Sequence, residues 1–101
     1  MDLVKEFVRG AVQVHVMHHA HLEEVHGTGL IEELANHGHT LSPGTIYPML
    51  HRLEEAGLLA SREVVLSGRR RRLYRTTEAG NRAFRACQRA VRELSSEVLG
   101  G

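Results

Sequence analysis

The sequence predicts a mainly α-helical fold with one small β-hairpin, and three observations support this prediction. Apolar residues recur with helical spacing in four stretches of the chain. Between the third and fourth stretches, this spacing gives way to two β-prone runs separated by Ser67-Gly68, a pair typical of tight turns. A length of 101 residues, with 42% hydrophobic and 25% charged, suits a small folded protein rather than a disordered tail.

The first two helices are predicted over residues 2–19 and from about Gly27 to Asn36. The first carries apolar residues over too wide an arc for one narrow stripe, so we expect it to be buried on more than one side. His37-Gly38 follows the second helix, and glycine at this position is typical of a helix end.

The third helix is predicted to begin at Ser42-Pro43. Serine can cap free backbone amides, and proline at the first helical position loses no hydrogen bond. Pro48 lies inside this helix and should bend it. The residues expected to face the core are spaced at i, i+4 and i+7: Ile46, Leu50 and Leu53.

Two strands are predicted over residues 58–66 and 69–76, and the second is mostly arginine. Residues 1–60 hold three basic and eight acidic residues, whereas residues 61–92 hold ten arginines and two acidic residues. The net charge of +1 therefore hides a strongly basic stretch. Such a stretch on a nearly neutral protein indicates an anionic partner, with nucleic acid as the first candidate.

The last helix is predicted to open at Thr77. Its apolar residues are spaced 3, 4, 3, 4, as in a heptad seam: Phe84, Cys87, Val91, Leu94 and Val98. A helix joined to the rest at one end cannot bury such a seam alone. We therefore expect it to pack against a second copy of the chain, with Phe7 and Ala11 of the first helix in the same interface. This divides the chain into residues 1–76 and a dimerisation helix over residues 77–101.

The order helix, helix, helix, hairpin, helix is that of a winged helix-turn-helix with an added dimerisation helix. The third helix would enter the major groove of double-stranded DNA, and the hairpin, or wing, would hold the flanking backbone with four arginines at its tip. The residues predicted to contact DNA are Ser42, Thr45, Tyr47, His51, Arg52, Arg69, Arg70, Arg71 and Arg72. Strand alternation sends two of the four arginines to each face of the wing, which leaves open which pair binds.

Three stretches closely resemble the PadR family of bacterial transcriptional regulators: "HGTGLIEEL" (26–34), "LSPGTIYPMLHRLEEAGLL" (41–59) and "GRRRRLYRTTEAG" (68–80). The resemblance implies a winged-helix repressor that forms a homodimer, binds a two-fold operator and releases it when a small-molecule effector occupies the dimer. The chain has no tryptophan. Family members that hold flat aromatic ligands between paired tryptophans are therefore a poor guide to its effector.

Other classes of protein fit the sequence less well. Glu54 and Glu55 are neighbours on a helix and point in different directions, so they make a poor catalytic pair, and an enzyme is not expected. No apolar run approaches the roughly 18 residues of a membrane helix, and the first residues lack a signal-peptide layout, which predicts a cytoplasmic protein without membrane contact. An interaction module that dimerises through the last helix without binding DNA is one alternative function.

Eight histidines are the remaining notable feature. Three of them lie close together on the first predicted helix: His15, His18 and His19. This spacing can bind a transition metal such as zinc or nickel, which makes a metal-responsive regulator a second alternative. His37, His39 and His51 are scattered along the sequence. We favour a structural or pH-sensitive packing role for the first-helix group and predict no cofactor.

Overall fold

Four α-helices and two β-strands make up residues 1–100, the part of the chain that this computed structural model describes. In chain order they are α1 (Leu3–Leu22), α2 (Gly27–Asn36), α3 (Pro43–Glu55), β1 (Leu59–Leu66), β2 (Arg69–Thr76) and α4 (Glu78–Leu99). The predicted class, mainly α-helical with a small β-hairpin, is confirmed. None of the helices within residues 1–100 is both long and apolar enough to cross a membrane.

Side chains cap the starts of α1, α2 and α4. The Asp2 carboxylate accepts the Lys5 N–H at 3.0 Å, and Thr77 caps α4 in the same way at 3.0 Å. His26 caps α2 with its ring Nδ1, which accepts the Gly29 N–H at 3.1 Å. Each cap satisfies a backbone amide that the first turn of a helix leaves without a partner.

The start of α3 differs from the prediction in one respect. Ser42 occupies the N-cap position, but its side chain accepts no backbone hydrogen bond from residues 1–100, so the predicted serine cap is wrong. The Ser42 Oγ instead lies 3.4 Å from the Oγ1 of Thr45. Pro43 opens the helix as expected, and the helix continues through Pro48. Both hydroxyls are exposed at the start of α3.

The hairpin forms as predicted. β1 and β2 pair antiparallel, with Leu66 opposite Arg69 beside the turn. Ser67 and Gly68 form the connection, with φ angles of 53° and 75°. Positive φ at both positions of a two-residue turn matches the twist of the flanking strands, which explains why glycine follows a small polar residue here.

The core lies where the three N-terminal helices meet the base of the hairpin. Tyr74 of β2 is buried in it and exchanges two backbone hydrogen bonds, of 2.9 and 2.7 Å, with Val25 of the α1–α2 connection. This pair extends the sheet beyond the hairpin toward the start of α2. The predicted core residues of α3 are all buried: Ile46, Leu50 and Leu53.

Phe84 corrects the prediction about α4. Expected in a seam between chains, it is only 6% exposed and packs in the core of its own chain. The first half of α4 is therefore held against α1 and the hairpin within one chain. The apolar residues of the second half remain exposed: Val91, Leu94, Val98 and Leu99.

Candidate nucleic-acid interface

α3 presents a polar surface opposite its buried side. The side chains predicted to contact DNA from this helix and its cap are all exposed: Ser42, Thr45, Tyr47, His51 and Arg52. Met49 is also buried on this side of α3, although it was not among the predicted core residues. It lies three residues after Ile46, a spacing that places both on one helix face. The helix is thus fixed by one face and leaves the other free for a ligand.

Tyr47 lies at the edge of this surface and touches α2. Its ring covers Gly27, the first residue of α2, so closely that a Cβ on Gly27 would come within 2.5 Å of the ring carbons. A larger residue at position 27 would therefore force the Tyr47 ring to move. Tyr47 remains 37% exposed, so it combines a packing contact with an accessible edge.

Two of the wing arginines connect to the helices beside the wing, one directly and one through a residue of β1. Arg71 donates from Nη1 to the Oγ1 of Thr28 at 3.2 Å, which joins β2 to the first turn of α2. Arg72 donates from Nη1 to the Oγ of Ser61 at 3.1 Å, and that hydroxyl donates to Glu54 of α3 at 2.7 Å. A continuous chain of hydrogen bonds therefore connects the wing to α3.

Arg69 and Arg70 lie next to the turn and are exposed. The Arg70 side chain is 81% exposed, and its Nη1 approaches Glu63 only loosely, at 3.8 Å. The structure thus places two of the four predicted arginines at the tip of the wing, rather than all four. The tip pair is the more accessible to an anionic partner, since Arg71 and Arg72 lie further along β2 and already bond to protein groups.

Arg62 of β1 forms a contact that the sequence did not predict. Its guanidinium donates two hydrogen bonds, each of 2.7 Å, to the carboxylate of Glu24 in the α1–α2 connection. The bonded Arg62 guanidinium lowers the pKa of the Glu24 carboxyl. The pair joins residues 38 positions apart, and local periodicity carries no signal for such a contact.

Comparison with known proteins identifies the family. Residues 16–86 match the "Transcriptional regulator PadR-like family". The chain belongs to this family. It is 54% identical over 98 residues to "Transcriptional regulator Rv3488" of Mycobacterium tuberculosis, an alignment that covers 97% of this chain and 92% of that protein. The resemblance inferred from the sequence is thereby confirmed.

Solved structures agree with this assignment. A PadR family transcriptional regulator from Eggerthella lenta is similar with a TM-score of 0.84 and 34% identity, covering 95% of this chain and 85% of that one. A PadR-like transcriptional regulator from Bacillus cereus is similar with a TM-score of 0.87 and 27% identity, covering 94% of each chain. PadR-like regulators bind DNA, and these matches show that the chain has their winged-helix fold.

An apolar groove runs between α1 and α4 of this PadR-like regulator. Its lining includes Phe7, Ala11, Cys87, Val91, Leu94 and Val98. These are the residues that the sequence predicts at a dimer interface, apart from Phe84. The structure brings them together on one surface, and Val98 at its end is 68% exposed.

The histidines are arranged differently from the prediction. The expectation that His37 and His39 are scattered is wrong, because the turn after α2 brings both rings close to the histidines of α1. We call the resulting group the histidine cluster: His15, His18, His19, His37 and His39. His51 lies apart from this cluster on α3.

Proposed function

We propose that this PadR-like regulator is a homodimeric repressor that binds a two-fold DNA operator and responds to a small effector. Each subunit lays α3 in a major groove and holds the flanking backbone with its wing. The hydrogen-bonded chain from Arg72 through Ser61 to Glu54 is the observation that supports this most, because it fixes the wing beside α3. Since α3 and the wing would bind the same DNA duplex, they need a fixed position relative to each other.

The apolar groove supports the homodimer. Val91, Leu94 and Val98 expose a helical stripe beside Phe7, and a contiguous apolar surface of this kind marks an interaction site. A second copy is the occupant we infer, since α1 and α4 of a partner present the same surface and a two-fold axis covers both grooves at once. The same axis presents two copies of α3 to successive major grooves, about one helical turn apart.

The polar groups have two roles: some position the protein on the DNA backbone, and others read the base sequence. Arg69 and Arg70 at the wing tip neutralise phosphates, which gives affinity that depends on salt but not on base sequence. The exposed hydroxyls of Ser42 and Thr45 lie at the N-terminus of α3, where backbone amides and the helix dipole favour a phosphate. Arg52 extends from the exposed side of α3 and is our candidate for reading a guanine edge.

We assign the protein no catalytic activity. The side chain of Glu54 is bonded to Ser61 at 2.7 Å and serves the wing contact, so the neighbouring carboxylates of Glu54 and Glu55 do not form a catalytic pair. Since a repressor acts where its DNA lies, we infer a cytoplasmic location.

Hydroxyl-radical footprinting on the DNA upstream of its own gene tests this proposal. The wild-type protein should protect two short stretches whose centres are about 10 base pairs apart or a multiple of that spacing. The double variant Val91→Asp with Leu94→Asp, which disrupts the groove but leaves α3 and the wing unchanged, should lose both. A single protected stretch, or two stretches that the double variant retains, would contradict the dimeric mode of binding.

A further inference from the structure

The histidine cluster joins two parts of the chain that are distant in sequence. His15 and His19 lie one turn apart on α1, with ring centroids separated by 4.9 Å. His37 follows α2, and its ring centroid lies 5.0 Å from that of His15. One ring nitrogen from each of these three residues lies within 4.8 Å of the others.

This geometry is close to that of a metal site. A tetrahedral zinc ion binds imidazole nitrogens at about 2.0–2.1 Å, which sets the nitrogens roughly 3.3 Å apart. Small rotations of exposed or half-buried side chains would bring the three nitrogens to that separation. His15 and His19 use the i, i+4 spacing by which one helix face supplies two ligands.

The backbone places His37 without help from the imidazoles. Gly38 has a φ of 90°, a conformation that favours glycine, and it turns the chain back after α2. The backbone amides of His37 and His39 both donate to the carbonyl of Leu34, at 3.1 and 2.8 Å. The end of α2 is thus capped by main-chain bonds, and the convergence of the rings is not required for capping.

His19 provides a second, independent indication of a ligand. Its Nε2 is buried and has no hydrogen-bond partner within residues 1–100. A buried polar atom without a partner is costly, and native structures usually satisfy such an atom with a protein group, water or an ion. A metal ion held with His15 and His37 would satisfy it.

The surroundings of His15 and His19 favour the neutral form of both imidazoles. Burial lowers the pKa of His15, and the neighbouring histidines lower it further. Burial and His18 lower the pKa of His19, although Glu33 and Glu23 oppose this. Imidazoles that stay neutral at neutral pH offer lone pairs to a metal.

Glu33 adds a carboxylate at the rim of the cluster. Its Oε1 lies 3.5 Å from the Nε2 of His37, one turn further along the chain. The group can supply a fourth ligand or balance the charge of a divalent ion. Three imidazoles and a carboxylate or water form a donor set suited to zinc and its first-row neighbours.

We propose that His15, His19 and His37 bind one divalent transition-metal ion of the Zn²⁺ type, with a fourth position for Glu33 or water, and that this ion is the effector. The metal site stands on its own geometry. Its role as effector rests on the proposed function as a DNA-binding repressor. This proposal replaces the structural or pH-sensitive packing role expected from the sequence for the α1 histidines, because the structure adds His37 to them.

The position of the site gives the ion a route to DNA binding. The site joins α1, which lines the apolar groove, to the end of α2. A short loop leads from there to α3. The cavity beside His15, His18 and His39 also borders Val91, a residue of the groove. Occupancy would therefore fix the spacing of the two α3 helices in a dimer, on which two-fold binding depends.

Isothermal titration of the untagged, chelator-treated full-length protein with ZnCl₂ tests the site. We expect one ion per chain, and we expect His37→Gln or His15→Gln to weaken binding on the order of 100-fold or more, since outer-shell changes alone cost 10–100-fold. His37 is exposed, so its replacement should leave the fold intact, as thermal unfolding without zinc can verify. His51→Gln is the matched control and should bind zinc like the wild type.

Absence of zinc binding, or equal binding by wild type and His37→Gln, would overturn the site. The effector role is tested separately by anisotropy on the upstream duplex with and without saturating zinc, where we expect at least a fivefold change in apparent Kd that His37→Gln abolishes. Zinc binding without such a change would overturn the effector role alone. Duplex binding by a protein that binds no zinc would overturn the metal site and leave the repressor proposal standing.

Discussion

Gly80 packs against the backbone carbonyl of Leu58, and a Cβ on Gly80 would overlap the Leu58 oxygen. The same oxygen accepts the N–H of Thr77 at 3.1 Å. The first turn of α4 is thus seated on the connection between α3 and β1. This contact fixes the direction of α4 relative to α3 and the hairpin, and with it the shape of the apolar groove.

Gly80→Ala should therefore destabilise the fold. The added methyl group meets backbone rather than a movable side chain, so we expect a loss of about 1–3 kcal/mol in the free energy of unfolding. Urea unfolding followed by circular dichroism measures it. Gly44→Ala is the control, because a Cβ there meets only the Ser42 Oγ at 3.7 Å and should cost nothing. Equal stability of the two variants would contradict the close packing.

The tip of the wing should supply salt-dependent affinity. Arg69→Ala with Arg70→Ala is expected to weaken binding to specific and random duplexes alike and to flatten the dependence of log K on log salt by about one unit per lost phosphate contact. Anisotropy at several salt concentrations measures this slope. Arg62→Ala removes a positive charge whose guanidinium is bonded to Glu24, and should leave the slope near that of the wild type. A double variant with the wild-type slope would show that the tip does not touch DNA.

Arg52 should contribute sequence preference. Replacing it with alanine is expected to weaken binding to the upstream duplex by about 1–3 kcal/mol more than binding to a scrambled duplex. The comparison needs both duplexes at one salt concentration. If the two affinities fall equally, Arg52 contacts the backbone and reads no base.

The groove between α1 and α4 should hold the dimer. Val91→Asp with Leu94→Asp places two charges on the surface that a second copy would cover, so light scattering should report monomers. Val65→Asp, at another exposed apolar residue on the hairpin, is the control and should remain dimeric. Dimers that persist in the double variant would locate the interface elsewhere.

Tyr74 should set an alkaline limit to stability. Burial raises the pKa of its phenol, and Glu54 adds to this effect, so the unfolded chain loses the proton at a lower pH than the folded chain. The stability contribution is complete below the ordinary phenol pKa of about 10 and is lost as pH rises through the raised value. Tyr74→Phe should remove this part of the slope of unfolding free energy against pH between about 9 and 12. An unchanged slope would contradict the assignment to Tyr74.

Local sequence patterns were enough to predict the helices and strands of the fold. Helical spacing predicted the buried side of α3, and Ser67-Gly68 predicted the turn because a tight hairpin needs positive φ at both positions. Apart from Phe84, the predicted interface residues of α1 and α4 also meet on one surface, since Phe7 and Ala11 repeat at i, i+4 and face the stripe of α4. Periodicity identifies such faces before any contact is known.

Contacts between distant segments were not predictable in this way. Phe84 fits the heptad spacing as well as Val91 does, and only the packing of α4 on α1 shows that it is buried within the chain. The convergence of His37 on His15 depends on the left-handed turn at Gly38 and on the angle between α1 and α2. The sequence gives the residues of this cluster but not their distance.

The most direct test of DNA recognition is fluorescence anisotropy of the wild-type protein on a labelled duplex from its own upstream region and on a scrambled duplex, each at two salt concentrations. We predict tighter binding to the upstream duplex, with two chains per duplex and a preference that persists as salt rises. Equal binding to both duplexes, or none to either, would contradict sequence-specific recognition by α3 and would leave the wing as a general basic surface.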